Sequence, residues 1–119
     1  MSMEMAILFT VDPKEDLERA SMGLSIANAA LATDVKVKIF FSLGGIKCLV
    51  KGYVDDLKAE HFASFKELLD IFHEEGGVLH ACSPFMAARG IKAEDLIDGV
   101  IISSAPTLVH DADNGILTI

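Results

Sequence analysis

The stretch Val78–Gly90 (VLHACSPFMAARG) decides how the rest of the chain is interpreted. It begins as an apolar run after two glycines, which is typical of a buried strand, and Ser83-Pro84 then predicts a helix start with Ser83 as the cap. Cys82 is therefore expected at the carboxyl end of a strand, where parallel α/β sheets bind ligands. Because free amides and the dipole at a helix N-terminus favour a thiolate, we expect Cys82 to be reactive, with a lowered pKa.

A second interpretation of Cys82 requires no chemistry. Free cysteine is among the most frequently buried residue types and often packs as a small hydrophobic side chain. The position at a strand end favours reactivity, whereas the residue type alone favours packing. Both interpretations remain open on the sequence.

The rest of the chain alternates between apolar strand-like runs and helical segments. Asp12-Pro13-Lys14-Glu15 predicts the start of the first helix, with Asp12 as its cap, and an amphipathic pattern from about His61 to His73 predicts the second. Such alternation predicts βαβ units. We expect an α/β fold, a three-layer α/β/α sandwich with a mostly parallel sheet of about five strands, in a single domain over residues 1–119. The predicted strands are Met5–Thr10, Val35–Phe41, Val78–Cys82, Val100–Ser103 and Ile116–Ile119.

The composition bounds the partners and the compartment. The net charge of −8 argues against nucleic acid, which requires clustered Lys and Arg. Hydrophobic residues make up 51% of the chain, and the mean hydropathy is +0.42. No apolar run reaches the ~18 residues of a membrane span, so this composition predicts a homo-oligomer. The segment Met1–Met5 lacks the basic start of a signal peptide, and two cysteines without one predict a cytoplasmic protein.

Three further residues near the predicted carboxyl edge are candidates for secondary roles. Cys48 forms neither a CxxC nor a zinc pattern with Cys82, so we expect no metal and no cofactor, and Cys48 either packs or acts as a resolving thiol. His80 lies two residues before Cys82 and so points to the same face of the strand, where it either stabilises a thiolate or packs. Arg89 is expected on the short helix after Cys82, facing a subunit interface or the acidic surface of its own chain.

A glycine pair also follows the second predicted strand. Gly44-Gly45 can direct backbone amides outward to hold an anion, or can simply form a turn. The turn is the simpler interpretation. The following residues, Ile46 to Tyr53, are expected to form a short helix or a lid.

Taken together, these segments resemble the DsrE/TusD family of sulfur-relay proteins. The resemblance rests on the strand ending in Cys82, the Ala-rich helix and Arg89-Gly90 after it, the Val37–Phe41 strand running into Gly44-Gly45, and the later segment Asp95–Val100. It covers nearly the whole chain in order. It implies that Cys82 matches the position at which sulfur-accepting members carry a persulfide, and that the protein assembles as a trimer or hexamer.

The first functional hypothesis is accordingly a small sulfur-relay protein. Cys82 accepts sulfane sulfur from a donor protein and passes it to an acceptor protein. The first alternative is a non-catalytic binding or scaffold subunit of the same fold, in which Cys82 only packs. A weaker alternative is a thiol peroxidase that uses Cys82 and Cys48.

Overall fold

The computed structural model describes residues 3–112 and 114–119. Met1, Ser2 and Asp113 lie outside the described residues. The segment Met1–Met5, which lacks the basic start of a signal peptide, is therefore described only from Met3. Five strands alternate with four α-helices, and 3-10 helices occupy Leu43–Leu49 and Ala93–Asp95. The strands and helices in chain order are β1 (Glu4–Phe9), α1 (Leu17–Ala32), β2 (Lys36–Phe41), α2 (Phe65–Glu74), β3 (Val78–Cys82), α3 (Ser83–Ala88), β4 (Ile101–Ser103), α4 (Ala105–Asp111) and β5 (Ile116–Thr118).

The five strands form one sheet in the order β4-β3-β2-β1-β5. Every neighbouring pair is parallel, which confirms the predicted α/β class. Parallel sheets are covered on both faces, which is why their strands are apolar on both sides. The central strand β2 fits this rule, since Ile39 and Phe40, which point to opposite faces of the sheet, are both fully buried.

Helices cover both faces of the sheet and make three layers. On one face, α1 packs so closely on β1 that a Cβ added to Gly23 would lie 2.8 Å from the Phe9 ring. Lys38 points to the opposite face, because its register partner on β1 is Ala6 and side chains alternate along a strand. There it pairs with Asp111 of α4 at 3.0 Å. The predicted three-layer sandwich is therefore confirmed.

The first helix begins later than the sequence predicted. Asp12 does not cap it; α1 starts at Leu17, and Asp16 is the cap, accepting a bond from the Arg19 amide at 3.1 Å. The carboxylate of Asp12 instead accepts bonds from the Lys14 amide and the Tyr53 hydroxyl. A contact across 41 residues has overridden a strong local helix-start signal.

The second helix is also shorter than predicted, and its start has a local cause. His61 has a φ of 68°, a left-handed conformation that cannot continue a right-handed helix. The cap is Ser64, whose side chain accepts a bond from the Glu67 amide at 3.2 Å.

The glycine pair lies in the first 3-10 helix, which begins before the predicted helix or lid. A Cβ on Gly45 would overlap the carbonyl oxygen of Phe9, and its own amide donates to Ser42. Close packing against the end of β1, and not an anion, accounts for Gly45.

Both edges of the sheet leave apolar side chains accessible. Ile101 and Ile102 on β4, and Ile116 and Leu117 on β5, are each between 40% and 49% exposed. In the described ranges, none of the helices has the length and apolar character needed to cross a bilayer.

Candidate functional site

Cys82 ends β3 at the carboxyl edge of the sheet, as predicted. It is the last residue of the strand and also the N-cap residue of α3. Its side chain is 6% exposed, so it lies just beneath the surface. The β4 residue in register with Cys82 is Ser103.

Two local expectations about Cys82 are wrong. Ser83 does not cap the helix but is its first residue, and within the described structure α3 has no side-chain capping bond. The pKa of Cys82 is raised, not lowered, because burial disfavours the charged thiolate. Since α3 has only six residues, few peptide dipoles align behind the cysteine to offset that burial.

His80 lies on the same face of the sheet as Cys82. It is 5% exposed, and its ring stacks on Phe40 with 4.2 Å between centroids and 14° between planes. Its Nδ1 is 3.1 Å from Oγ of Ser103. Burial and the nearby charge of Lys38 lower the pKa of His80, opposed by Asp111, so the ring is neutral near pH 7.

Cys48 occupies a different environment from Cys82. It is fully buried in the first 3-10 helix, and its sulfur lies 4.0 Å from the carbonyl oxygen of Val11. Burial and the charge of Asp12 hold the pKa of the Cys48 thiol well above its usual range. Both cysteines are free thiols in the described structure.

A polar cluster around Asp12 was not anticipated from the sequence. Asp12 is 5% exposed, and Lys47 lies 3.5 Å from its carboxylate. The Tyr53 hydroxyl donates to both carboxylate oxygens at 2.8 and 3.0 Å. Burial and this bond to Asp12 raise the pKa of Tyr53 to about 12. The cluster ties the segment after β1 to the 3-10 helix that carries Cys48.

Arg89 lies at the end of α3, as predicted, but its guanidinium has a local partner. The side chain is exposed, and Nη1 donates to the Phe85 carbonyl at 3.3 Å. The bond satisfies one of the carbonyls left free at a helix end. The Arg89 side chain therefore caps the C-terminus of its own helix in this structure.

Ser103 is the residue near Cys82 that the sequence reasoning missed. The available signal was a hydroxyl at the end of the fourth predicted strand, which meets the same edge as Cys82 in a parallel sheet.

Among residues 3–112 and 114–119, no group of three His, Cys, Asp or Glu side chains is placed to hold a metal.

Comparisons with known proteins agree with this fold. Two curated archaeal relatives are similar along most of their length. The uncharacterized protein MK0008 of Methanopyrus kandleri is 35% identical over 100 residues, covering 82% of this chain and 79% of its own. The uncharacterized protein MJ0989 of Methanocaldococcus jannaschii is 31% identical over 115 residues, covering 94% and 96%.

Two solved structures share the fold at low sequence identity. The protein of unknown function MTH1491 from Methanobacterium thermoautotrophicum superposes with a TM-score of 0.76 at 19% identity, over 99% of this chain and 98% of its own. The ychN protein from E. coli gives 0.63 at 18% identity, over 100% of both chains. The sequence profile of the DsrE/DsrF-like family matches residues 3–118. The chain therefore belongs to the DsrE/DsrF-like family.

Proposed function

We propose that this protein is a small sulfur-relay protein that carries sulfane sulfur as a persulfide on Cys82. The observation that carries the proposal is the position of Cys82 as the last residue of β3, at the carboxyl edge of an all-parallel sheet. Chemistry in such sheets concentrates at that edge. Membership of the DsrE/DsrF-like family supports the same assignment.

The proposed loading step exchanges sulfur without a net redox change. The Cys82 thiolate attacks the outer sulfur of a donor persulfide, the donor S–S bond breaks, and the donor leaves as a thiolate. The proton lost by Cys82 ends on the donor, so that Cys–SH and R–S–SH give Cys–S–SH and R–SH. An acceptor thiolate then attacks the outer sulfur, and Cys82 leaves. Because the step balances without an oxidant, it needs no cofactor.

The shallow burial of Cys82 suits a carrier. An S–S bond is about 2 Å long, so the transferable sulfur of the persulfide extends beyond Sγ by about that distance. In a residue that is 6% exposed, an outer sulfur directed towards the solvent would be accessible to a docked partner while Sγ stays shielded from water.

The proposal includes the partners and the setting. The relay needs a donor protein and an acceptor protein, and the exchange suits a reducing compartment such as the cytoplasm. The exposed apolar residues on β4 and β5 support a homo-oligomer, and family resemblance favours a trimer or hexamer.

Intact mass spectrometry after exposure to glutathione persulfide tests the function. We expect the wild-type chain to gain one sulfur atom, removable by dithiothreitol. Cys82→Ser should gain none, and the matched variant Cys48→Ala should load like wild type because Cys48 is fully buried. Loading of Cys82→Ser would refute the role of Cys82 as the carrier, whereas no loading of wild type would favour the binding or scaffold subunit.

A further inference from the structure

The pair His80 and Ser103 meets beside Cys82 although the two residues are not register partners. The β4 partner of His80 is Ile101, whereas the partner of Cys82 is Ser103. Nevertheless, Nδ1 of His80 lies 3.1 Å from Oγ of Ser103. The imidazole thus reaches forward along the sheet to the level of the cysteine.

The three side chains share one face of the sheet. His80 and Cys82 are two residues apart on one strand and therefore point to the same side. Ser103 must point there too, because its hydroxyl contacts His80. Neighbouring strands are about 4.8 Å apart, so Cys82 and Ser103, which are register partners, are cross-strand neighbours on this face.

The plane of the His80 ring is fixed by its surroundings. It is 5% exposed and stacks on Phe40, so rotation of the ring plane would disrupt that stacking. The charged groups acting on it are Lys38 on β2 and Asp111 on α4, which oppose each other. A neutral imidazole bears one N–H, and with the hydrogen on Nδ1 it donates to Ser103.

We propose that Ser103 donates a hydrogen bond to the Cys82 sulfur in its anionic states, and that His80 is the positioning residue that directs this hydroxyl proton. When Nδ1–H donates to Oγ, the single hydroxyl proton of Ser103 is left for the sulfur. The inference rests on the proposed function, and it names the group that stabilises the reactive form of the same cysteine.

The need for such a donor follows from the environment of Cys82. Burial raises the pKa of this thiol, and the helix that follows is too short to reverse that effect. A hydrogen bond to the charged form favours ionisation. The same bond stabilises Cys82 as a leaving group when an acceptor takes the outer sulfur.

The test is the pH dependence of Cys82 alkylation by iodoacetamide, measured by intact mass in a Cys48→Ala background. Ser103→Ala should lower the rate about tenfold near neutral pH and raise the midpoint of the pH profile by about one unit, as loss of one hydrogen bond to an ion implies. His80→Phe keeps a ring against Phe40 but removes Nδ1, and should produce a smaller shift in the same direction.

Isosteric variants separate the hydroxyl from packing. Ser103→Thr should keep the wild-type profile, whereas Ser103→Val, of similar shape, should behave like Ser103→Ala. Ser104→Ala is the matched control, because in the described structure the neighbouring Ser104 makes no side-chain cap to α4, and it should leave the profile unchanged. Equal profiles for Thr and Val, or an equal shift in Ser104→Ala, would overturn the proposal.

Sulfur loading of the same variants distinguishes the two levels of inference. If Ser103→Val shifts the alkylation profile as predicted but the wild type takes up no sulfur, the relay function is refuted and the role of Ser103 stands. If wild type takes up sulfur but the Ser103→Val profile matches wild type, the relay stands and the role of Ser103 is refuted.

Discussion

The hydroxyl of Tyr53 donates to both carboxylate oxygens of Asp12, at 2.8 and 3.0 Å, from 41 residues further along the chain. Asp12 follows β1, and Tyr53 follows the 3-10 helix that carries Cys48. Lys14 adds to the cluster, with its ammonium 4.1 Å from the centre of the Tyr53 ring. The Tyr53–Asp12 hydrogen bonds therefore hold the segment around Cys48 against the carboxyl end of the sheet.

Removing the Tyr53 hydroxyl should destabilise the protein. Tyr53→Phe keeps the ring but deprives the buried carboxylate of Asp12 of one of its donors, and hydrogen bonds to charged groups contribute about 1.5–3 kcal/mol to the free energy of unfolding. Urea denaturation measures the loss. As the control, Lys66→Gln breaks the exposed pair with Asp70 and should leave the free energy of unfolding nearly unchanged, because solvent screens an exposed ion pair. Equal effects of the two substitutions would contradict this role of Tyr53.

The ionisation of Tyr53 can be observed directly, because it is the single tyrosine in the chain. Burial and the bond to Asp12 raise the pKa of Tyr53 to about 12. Since that pKa is above the unfolded value of about 10, the stability contributed by the phenol is fully present below pH about 10 and is lost as the pH rises through about 12. Phenolate absorbance in an alkaline titration of the folded protein should therefore rise near pH 12.

Two comparisons make that titration decisive. The pKa of Tyr53 in the urea-unfolded chain should return to about 10, and Asp12→Asn should lower it part of the way, since burial remains. A folded-state midpoint near 10 would show that the hydroxyl is not held by Asp12.

The strands could be predicted to within a residue or two because the evidence for them is local. An apolar run after a turn signal marks β3, and the observed strand is Val78–Cys82, as predicted. The start of α1 could not be predicted, because the side chain of Asp12 is engaged by Tyr53. That competition depends on a tertiary contact, which a helix-start pattern does not encode.

The position of the candidate site in the fold could be predicted from the sequence, but its electrostatics could not. The place of Cys82 follows from the strand and the Ser-Pro pair. The direction of its pKa shift depends on the burial of the thiol and on the length of α3. The strand-Cys-Ser-Pro pattern predicts neither of these. The position of Ser103 beside Cys82 could not be predicted for a similar reason, because it depends on the register between β3 and β4.

The exposed sheet edges predict self-association. Unpaired edge strands with apolar side chains are surfaces that proteins usually cover, and Ile102 on β4 is 45% exposed. We expect a homo-oligomer in sedimentation velocity of a dilute sample at physiological salt, and Ile102→Lys should shift it towards smaller species. Lys66→Gln, on the exposed side of α2, should leave the distribution unchanged. A monomer of 12.8 kDa at all concentrations would contradict the prediction.

The response to peroxide separates a sulfur carrier from a two-cysteine peroxidase. A peroxidase converts one thiolate to a sulfenic acid and then to a disulfide with a second thiol. Cys48 is poorly suited to that second step, because burial and Asp12 hold its pKa well above the usual range and suppress the attacking thiolate. We therefore expect no rapid Cys48–Cys82 disulfide when the protein is mixed with a slight excess of hydrogen peroxide and followed by intact mass under non-reducing conditions.

The variants give the peroxide experiment its controls. Because the carrier mechanism needs one thiol, Cys48→Ala should match wild type in both peroxide oxidation and sulfur loading. Cys82→Ser should lose loading, and its remaining thiol should react with iodoacetamide only after unfolding, since Cys48 is fully buried. Rapid loss of two hydrogen masses from wild type, absent in Cys48→Ala, would identify a disulfide and give the peroxidase precedence. Loss of sulfur loading in Cys48→Ala, with the fold intact by circular dichroism, would show that the transfer requires both thiols.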